Sequence, residues 1–159
     1  MDKAKQQIVE TVDAAREDLL ALSKNIHDNP ELGFQEFKAM GFISNTLEKH
    51  GFTVQGGYGG LETSFRADLC GSGEGPTVAF LAEYDALNGI GHGCGHNLIA
   101  TCSVGAFLGL APLMKLPSSA LLGPKTANIS SKSCLLRIIA RWFSGICSVR
   151  IFCLTPMGS

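Results

Sequence analysis

Residues 91–97, with the sequence Gly-His-Gly-Cys-Gly-His-Asn, contain the side chains of this chain best suited to chemistry. Two imidazoles, those of His92 and His96, and the thiol of Cys94 lie within five positions. Imidazole and thiolate both bind borderline-soft divalent ions, and the intervening glycines allow the tight backbone turns that bring alternate side chains to one point. The segment therefore predicts a metal site.

A hydrolytic metal site also needs carboxylates, and the nearest ones belong to Glu83 and Asp85. All 14 acidic residues lie at or before Asp85, and no Asp, Glu or His follows His96. Catalytic zinc usually has three protein ligands, and hydrolysis needs a base for the bound water. The sequence thus predicts the opening of an active site that this chain does not complete.

The segments around this cluster predict a strand that leads into it and a helix that follows it. Residues 76–82 are a short run of apolar and β-preferring residues without helical period, typical of a buried strand. Residues 98–110 are small and apolar on all sides, as in a buried helix, and Asn97 is suited to be its N-cap. Because ligands of α/β sheets bind at the carboxyl ends of strands, the cluster is expected at such an end.

The amino-terminal half predicts further elements of an α/β domain. Apolar residues recur at helical spacing over 4–26, which predicts an amphipathic surface helix. A second helix is predicted over 35–50, with Gly51 as its C-cap, and a strand over 63–69. A chain of 159 residues is long enough for one domain with a real core, and this order of elements predicts the α/β class.

Two segments together resemble a known family. Residues 83–97, Glu-Tyr-Asp-Ala-Leu-Asn-Gly-Ile-Gly-His-Gly-Cys-Gly-His-Asn, resemble the signature of the zinc-dependent amidohydrolases and exopeptidases of peptidase family M20. Residues 27–36, His-Asp-Asn-Pro-Glu-Leu-Gly-Phe-Gln-Glu, resemble the family's His-x-x-Pro-Glu-Leu-x-x-x-Glu stretch. The resemblance covers roughly residues 8–123, the opening third of such a catalytic domain. It implies a partial zinc-exopeptidase-like three-layer sandwich with an incomplete sheet.

The resemblance also implies roles for individual residues. Cys94 and His96 fall on two metal ligands, and Asp85 falls on the carboxylate that orients or bridges the metals. Glu83 occupies a position that other branches fill with a ligand histidine, while His92 lies outside the ligand set and is expected to orient it. The implied cofactor is zinc or another divalent metal, with manganese as an alternative. The implied substrate is a small peptide or an N-acyl amino acid, and a homodimer is expected only of full-length members.

The chain changes character near residue 123, where the family's Glu-Glu-Gly motif is expected and Pro-Lys-Thr-Ala-Asn follows instead. Residues 1–85 carry 7 bases and 14 acids, whereas residues 86–159 carry 6 bases and no acid. We interpret residues 1–123 as the N-terminal part of a metallohydrolase domain. Residues 124–159 form a basic and apolar tail with few signs of regular structure, interpreted as not being family sequence. The alternative is a folded or membrane-touching segment, since Arg137 and Arg141 share a helical face.

The resemblance implies metal-dependent amide hydrolysis as the function. The chain itself is expected to be truncated and inactive in this form. The alternative is a non-catalytic homologue that binds metal weakly or binds a partner chain. Arginines in the tail argue against a membrane span, and the absence of a dense basic patch argues against nucleic-acid binding. Since the first residues carry no apolar signal segment, a cytoplasmic location with reduced cysteines is expected.

Overall fold

The computed structural model describes residues 3–71, 77–114 and 148–153. The elements in chain order are α1 (Lys3–Ala14), α2 (Arg16–Asp28), α3 (Phe37–Lys49), β1 (Val54–Gly56), a short 3-10 helix (Tyr58–Gly60), β2 (Phe65–Cys70), β3 (Thr77–Ala82), α4 (His96–Met114) and β4 (Ser148–Cys153). The strands form one sheet in the order β1-β2-β4-β3. Pairing is antiparallel from β1 to β4 and parallel between β4 and β3. This mixed arrangement with a small, incomplete sheet confirms the predicted α/β class.

Helix α4 forms the centre of the core. It contacts the three strands β2, β3 and β4 and all three other α-helices. Val104 and Phe107 are fully buried within it, as the all-round apolar sequence predicts. At 19 residues α4 is also long and apolar enough to cross a membrane, a property it shares with core helices of soluble proteins, and 61% of its apolar window is buried here.

The sheet turns one face toward the helices. Side chains that are buried or half-buried alternate with exposed ones along β3, and the alternate residues Phe65 and Ala67 of β2 are buried. The inward residues include Phe65, Ala67 and Ala82, and Ile151 of β4 is buried with them. Successive side chains of a strand point to opposite faces, so the exposed Leu81 lies on the other side of the sheet. The described residues therefore contain two of the three layers of the expected sandwich.

The predicted single helix over 4–26 is wrong at Ala15, where the chain divides into α1 and α2. Ala15 has φ of −89° and ψ of 2°, outside the helical range, and it is buried. Both α1 and α2 contact α4. A straight helix follows one direction only, whereas the change of direction at Ala15 allows both segments to lie against α4.

Two glycines of α4 allow this close packing. A Cβ at Gly109 would lie 3.1 Å from side-chain atoms of both Ile8 and Val12 in α1. A Cβ at Gly105 would lie 3.3 Å from Leu19 in α2. Larger residues here would therefore force α1 and α2 away from α4.

The other predicted elements differ from the structure mainly at their ends. The strands predicted over 63–69 and 76–82 are β2 and β3, and the helix predicted over 35–50 is α3. Gly51 has φ of +85°, and its N–H donates to the carbonyl of Glu48, so the predicted C-cap is confirmed. Strand β1 has only three residues, too short for the sequence pattern to predict it.

The prediction that the tail lacks regular structure is wrong for residues 148–153. These residues form β4, which lies between β2 and β3, with Ile151 paired to Ala67 on one side and to Phe80 on the other. The sequence Ser-Val-Arg-Ile-Phe-Cys has the β-branched residues that strands favour, but the basic composition of the whole tail obscured so short a segment. The strand considered at 119–123 and the helical face of Arg137 and Arg141 lie outside the described residues.

Candidate metal centre

The carboxyl end of β3 places Glu83 and Asp85 on either side of a buried tyrosine. Tyr84 is 1% exposed, and its hydroxyl donates to the carbonyl of Thr63 at 2.5 Å. Its ring also stacks on Phe65, with 6.0 Å between the ring centroids. This anchored tyrosine fixes the backbone between the two carboxylates, of which Asp85 is buried and Glu83 is 40% exposed.

Asp85 and Glu83 both meet the imidazole of His96, the first residue of α4. Nδ1 of His96 lies 2.7 Å from Oδ1 of Asp85 and 3.0 Å from the carbonyl oxygen of the same residue. Both acceptors require a proton on Nδ1, so Nε2 carries the lone pair in the neutral ring. This is the geometry by which a carboxylate orients a metal-binding histidine.

Nε2 of His96 lies 3.3 Å from Oε2 of Glu83. A nitrogen and an oxygen bound to one tetrahedral zinc at about 2.1 Å are roughly 3.4 Å apart. The pair therefore fits two neighbouring ligand positions of a divalent metal. Glu83, which the sequence placed only at a doubtful ligand position, is the carboxylate in the better place to bind, while Asp85 is in place to orient.

The structure does not bring Cys94 into this group. Its side chain is exposed and its thiol is free. Within residues 3–71, 77–114 and 148–153, no three His, Cys, Asp or Glu side chains form an arrangement that could hold a metal ion. The described part of the chain thus presents two metal-binding donors with an orienting carboxylate, and ligation by Cys94 stays a prediction.

His92 is buried beside a second histidine. It is 8% exposed, and its ring centroid lies 6.4 Å from that of His27. Neither ring nitrogen meets hydrogen-bond geometry with a described residue. Burial first, and the nearby His27 second, lower the pKa of His92, while the backbone of Ile26 acts in the opposite direction. The lowered pKa favours the neutral form of His92, and its orienting role stays a prediction.

The predicted N-cap of α4 is wrong. The helix begins at His96, so Asn97 lies inside its first turn. Its buried side-chain amide donates to Oγ of Ser23 at 3.1 Å and to the carbonyl of Ser23 at 3.4 Å. A cap bonds its own helix, whereas Asn97 ties the start of α4 to α2, and this partner 74 positions away could not be read from local sequence.

Sequence reasoning missed the role of Glu31. Its carbonyl accepts the N–H of Ala86 at 2.7 Å, directly after Asp85. Its carboxylate accepts the N–H groups of Lys38 and Ala39, at 3.1 and 3.0 Å, in the first turn of α3. Caps are normally found within a few residues of the helix start, so a side chain seven residues earlier gives no local signal.

Comparison with known proteins gives consistent relatives over part of the chain. No family model matches the sequence. The chain is 43% identical over 119 residues to the Xaa-Arg dipeptidase of Mus musculus, which covers 69% of this chain and 27% of that protein. It is 34% identical over 116 residues to a component of the p-aminobenzoyl-glutamate hydrolase of Escherichia coli, covering 62% and 24% respectively. A third relative, the N-acetyl-L-cysteine deacetylase of Bacillus subtilis, is 32% identical over 119 residues, which are 66% of this chain and 27% of the relative. The chain thus spans about a quarter of the length of these relatives.

Solved structures share the fold. A dinuclear metal-binding peptidase from the M20 family of Bacillus subtilis superposes with a TM-score of 0.65 at 22% identity, over 91% of this chain and 36% of the other. The aminobenzoyl-glutamate utilization protein of Klebsiella pneumoniae superposes with a TM-score of 0.56 at 16% identity, over 92% and 38%. At these identities the likeness concerns the fold alone.

Proposed function

Because this chain belongs to the M20 amidohydrolase family over the part that matches, we propose that it forms one side of the metal-binding active site of an amide hydrolase. The observation that carries this proposal is the imidazole of His96, oriented by Asp85 and turned with Nε2 toward Glu83. This imidazole is held on Nδ1 and, in its neutral form, faces a second carboxylate with the lone pair of Nε2, an arrangement that a cation between the two groups would stabilise.

We propose zinc as the metal, with manganese as the alternative, since imidazole and carboxylate suit both ions. His96 and Glu83 would hold it, and Cys94 is the nearest thiolate in sequence that a local rearrangement could add. When bound, such an ion polarises the scissile carbonyl and makes a water acidic enough to attack at neutral pH. The task of Asp85 is to keep the proton on Nδ1 of His96, so that Nε2 is available as a ligand.

The substrate class follows from the relatives' names. They act on Xaa-Arg dipeptides, on p-aminobenzoyl-glutamate and on N-acetyl-L-cysteine. Each of these compounds is an amide of an amino acid. We therefore propose a small peptide or N-acyl amino acid as the substrate of the active site to which this chain contributes.

We further propose that this chain alone has no hydrolytic turnover. The two carboxylates at the site, those of Glu83 and Asp85, both face His96, which leaves no described acid near it to take the proton from the attacking water. Loss of a general base typically costs a factor of roughly 10² to 10⁴. The two-donor site also favours the second candidate function, a non-catalytic homologue that binds metal weakly.

Metal binding tests the proposal. The metal-free chain is titrated with Co²⁺, whose visible spectrum reports coordination and thiolate ligation. We expect at most one weakly bound ion, lost in His96→Ala, with any thiolate band lost in Cys94→Ser. His50→Ala removes a histidine outside the site and should leave binding unchanged. Two tightly held ions that survive Cys94→Ser and His96→Ala would overturn the assignment.

Turnover is tested with a panel of dipeptides and N-acyl amino acids in the presence of zinc, manganese or cobalt. We expect no hydrolysis above the metal-only background. Hydrolysis that His96→Ala abolishes would show a complete active site and would contradict the expected inactivity.

A further inference from the structure

Residues 27–31, named here the brace, contact the connection between Asp85 and His96 at three points. The carbonyl of Glu31 accepts the N–H of Ala86 at 2.7 Å. A Cβ added at Gly91 would meet Cβ of Pro30 at 3.8 Å, an ordinary van der Waals distance, so the proline ring lies beside this part of the connection. At the far end of the same connection, the rings of His27 and His92 lie side by side. The connection is therefore supported along its length, from β3 nearly to α4.

The brace is itself fixed to the core through Glu31. Its two carboxylate oxygens take the N–H groups of Lys38 and Ala39, one each. These are among the four N–H groups that lack an acceptor at the start of a helix, where the helix dipole also favours negative charge. Ala39 is 1% exposed, so this end of α3 is part of the core. The side chain of Glu31 thus ties the brace to a rigid helix.

We infer that Glu31 is a positioning residue for the metal-binding pair, acting through Ala86 on Asp85 and through Asp85 on the imidazole of His96. The chain of contacts is continuous. The carboxylate of Glu31 is held by α3, its carbonyl holds the N–H of Ala86, and the adjoining Asp85 holds Nδ1 of His96. A ligand oriented in advance binds metal more tightly, because less order has to be imposed when the ion arrives. In its consequence for metal binding, this inference rests on the proposed function.

The simpler alternative is that Glu31 only stabilises α3. Glu31→Gln separates the two roles, because the amide keeps the shape and one acceptor but turns an NH₂ group toward a backbone N–H. The matched control is Asp18→Asn, which loosens the contact between α2 and α3 away from the site. Both variants are made in the full chain, and their stabilities are compared by urea denaturation.

The decisive readout is the imidazole of His96 in metal-free protein, observed by ¹⁵N NMR. Wild type and Asp18→Asn should show the proton on Nδ1, and Glu31→Gln should show a mixture of tautomers with faster hydrogen exchange at Ala86. Co²⁺ affinity should fall roughly 10-fold or more in Glu31→Gln, the size found for residues that orient metal ligands, and less than 2-fold in Asp18→Asn. If Glu31→Gln does not fold, Glu31→Asp, which keeps both oxygens on a shorter side chain, should give the same change in weaker form.

A Glu31→Gln protein that is less stable but keeps the wild-type tautomer and exchange rate would overturn the inference and leave Glu31 as a helix cap. A wild-type chain that binds no Co²⁺, combined with a changed tautomer in Glu31→Gln, would support the positioning role and reject the proposed metal site.

Discussion

The molecule contains two aspartate–histidine pairs, and their surroundings differ in charge and exposure. Asp18 holds Nε2 of His50 at 3.0 Å between α2 and α3, and both side chains are 27% exposed. Asp85 holds Nδ1 of His96 at 2.7 Å, with exposures of 10% and 18%. Nζ of Lys49 lies 2.6 Å from Oδ1 of Asp18 in the first pair. In the second pair the additional group is another carboxylate, that of Glu83, which lies near Nε2 of His96.

This difference shows why the same two residue types serve different purposes. At Asp18 a lysine and a histidine surround one carboxylate, so the charges are balanced without any further ion. At His96 two carboxylates surround one imidazole, and no described lysine or arginine pairs with either. The second group therefore keeps an excess of negative charge beside one imidazole, which attracts a divalent cation. The first pair is a surface contact between helices, and the second is the group that we propose as part of a metal site.

The largest difference between the pairs is expected when each aspartate is replaced by asparagine. Asp85→Asn removes the carboxylate that keeps the proton on Nδ1 of His96, so Co²⁺ affinity should fall roughly 10- to 100-fold. Asp18→Asn should leave the affinity unchanged. Co²⁺ titration of both variants measures the effect. Equal affinities would mean that Asp85 does not orient the ligand and that the two pairs are equivalent.

A smaller effect is expected from the tyrosine beneath the second pair. Tyr84→Phe removes the hydroxyl that donates to the buried carbonyl of Thr63, and leaving a buried acceptor without its donor costs about 1 to 3 kcal/mol. Tyr58→Phe is the control, because the hydroxyl of Tyr58 accepts from Arg66 nearer the surface. Urea denaturation should show a clear loss for Tyr84→Phe and a minor one for Tyr58→Phe. Equal losses would show that burial of the hydroxyl does not matter here.

The smallest effect is expected from the first pair and depends on pH. The hydrogen bond from Lys49 and, less strongly, that from His50 lower the pKa of Asp18 from its ordinary 3.8. A lowered pKa in the folded state means that the contribution to stability is present above 3.8 and is lost as the pH falls through the folded-state value. Denaturation of wild type and Asp18→Asn at pH values from about 7 to about 3 should therefore show two stability curves that converge below about pH 4. The pKa of Asp28 is lowered in the same way by Lys24, but this group titrates in both proteins, so it does not affect the difference. Curves that stay parallel over the whole range would show that the ion pair adds nothing.

Features that depend on neighbouring residues could be predicted from the sequence, whereas features that depend on distant contacts could not. The strand before Glu83, the buried helix after His96 and the cap at Gly51 were predictable, because each depends on residues next to one another in sequence. The break at Ala15 was not, because it reflects the need of two helices to contact α4. The role of Asn97 was predicted wrongly as an N-cap of α4, because its hydrogen-bond partner, Ser23, lies far away in sequence, on α2.

By itself the sequence determined the donors available for a metal, their order along the chain and the elements that carry them. Residue types and short-range spacing are sufficient for this, because backbone preferences and hydrophobic periodicity act within a few residues. Only the tertiary structure decided that Asp85 contacts Nδ1 of His96, that Glu83 lies near Nε2 of the same ring and that the thiol of Cys94 is exposed. It also decided that Glu31 supports the connection from α3, and that the basic tail contributes β4 to the middle of the sheet. These outcomes depend on contacts between residues far apart in sequence, which form only when the core is packed.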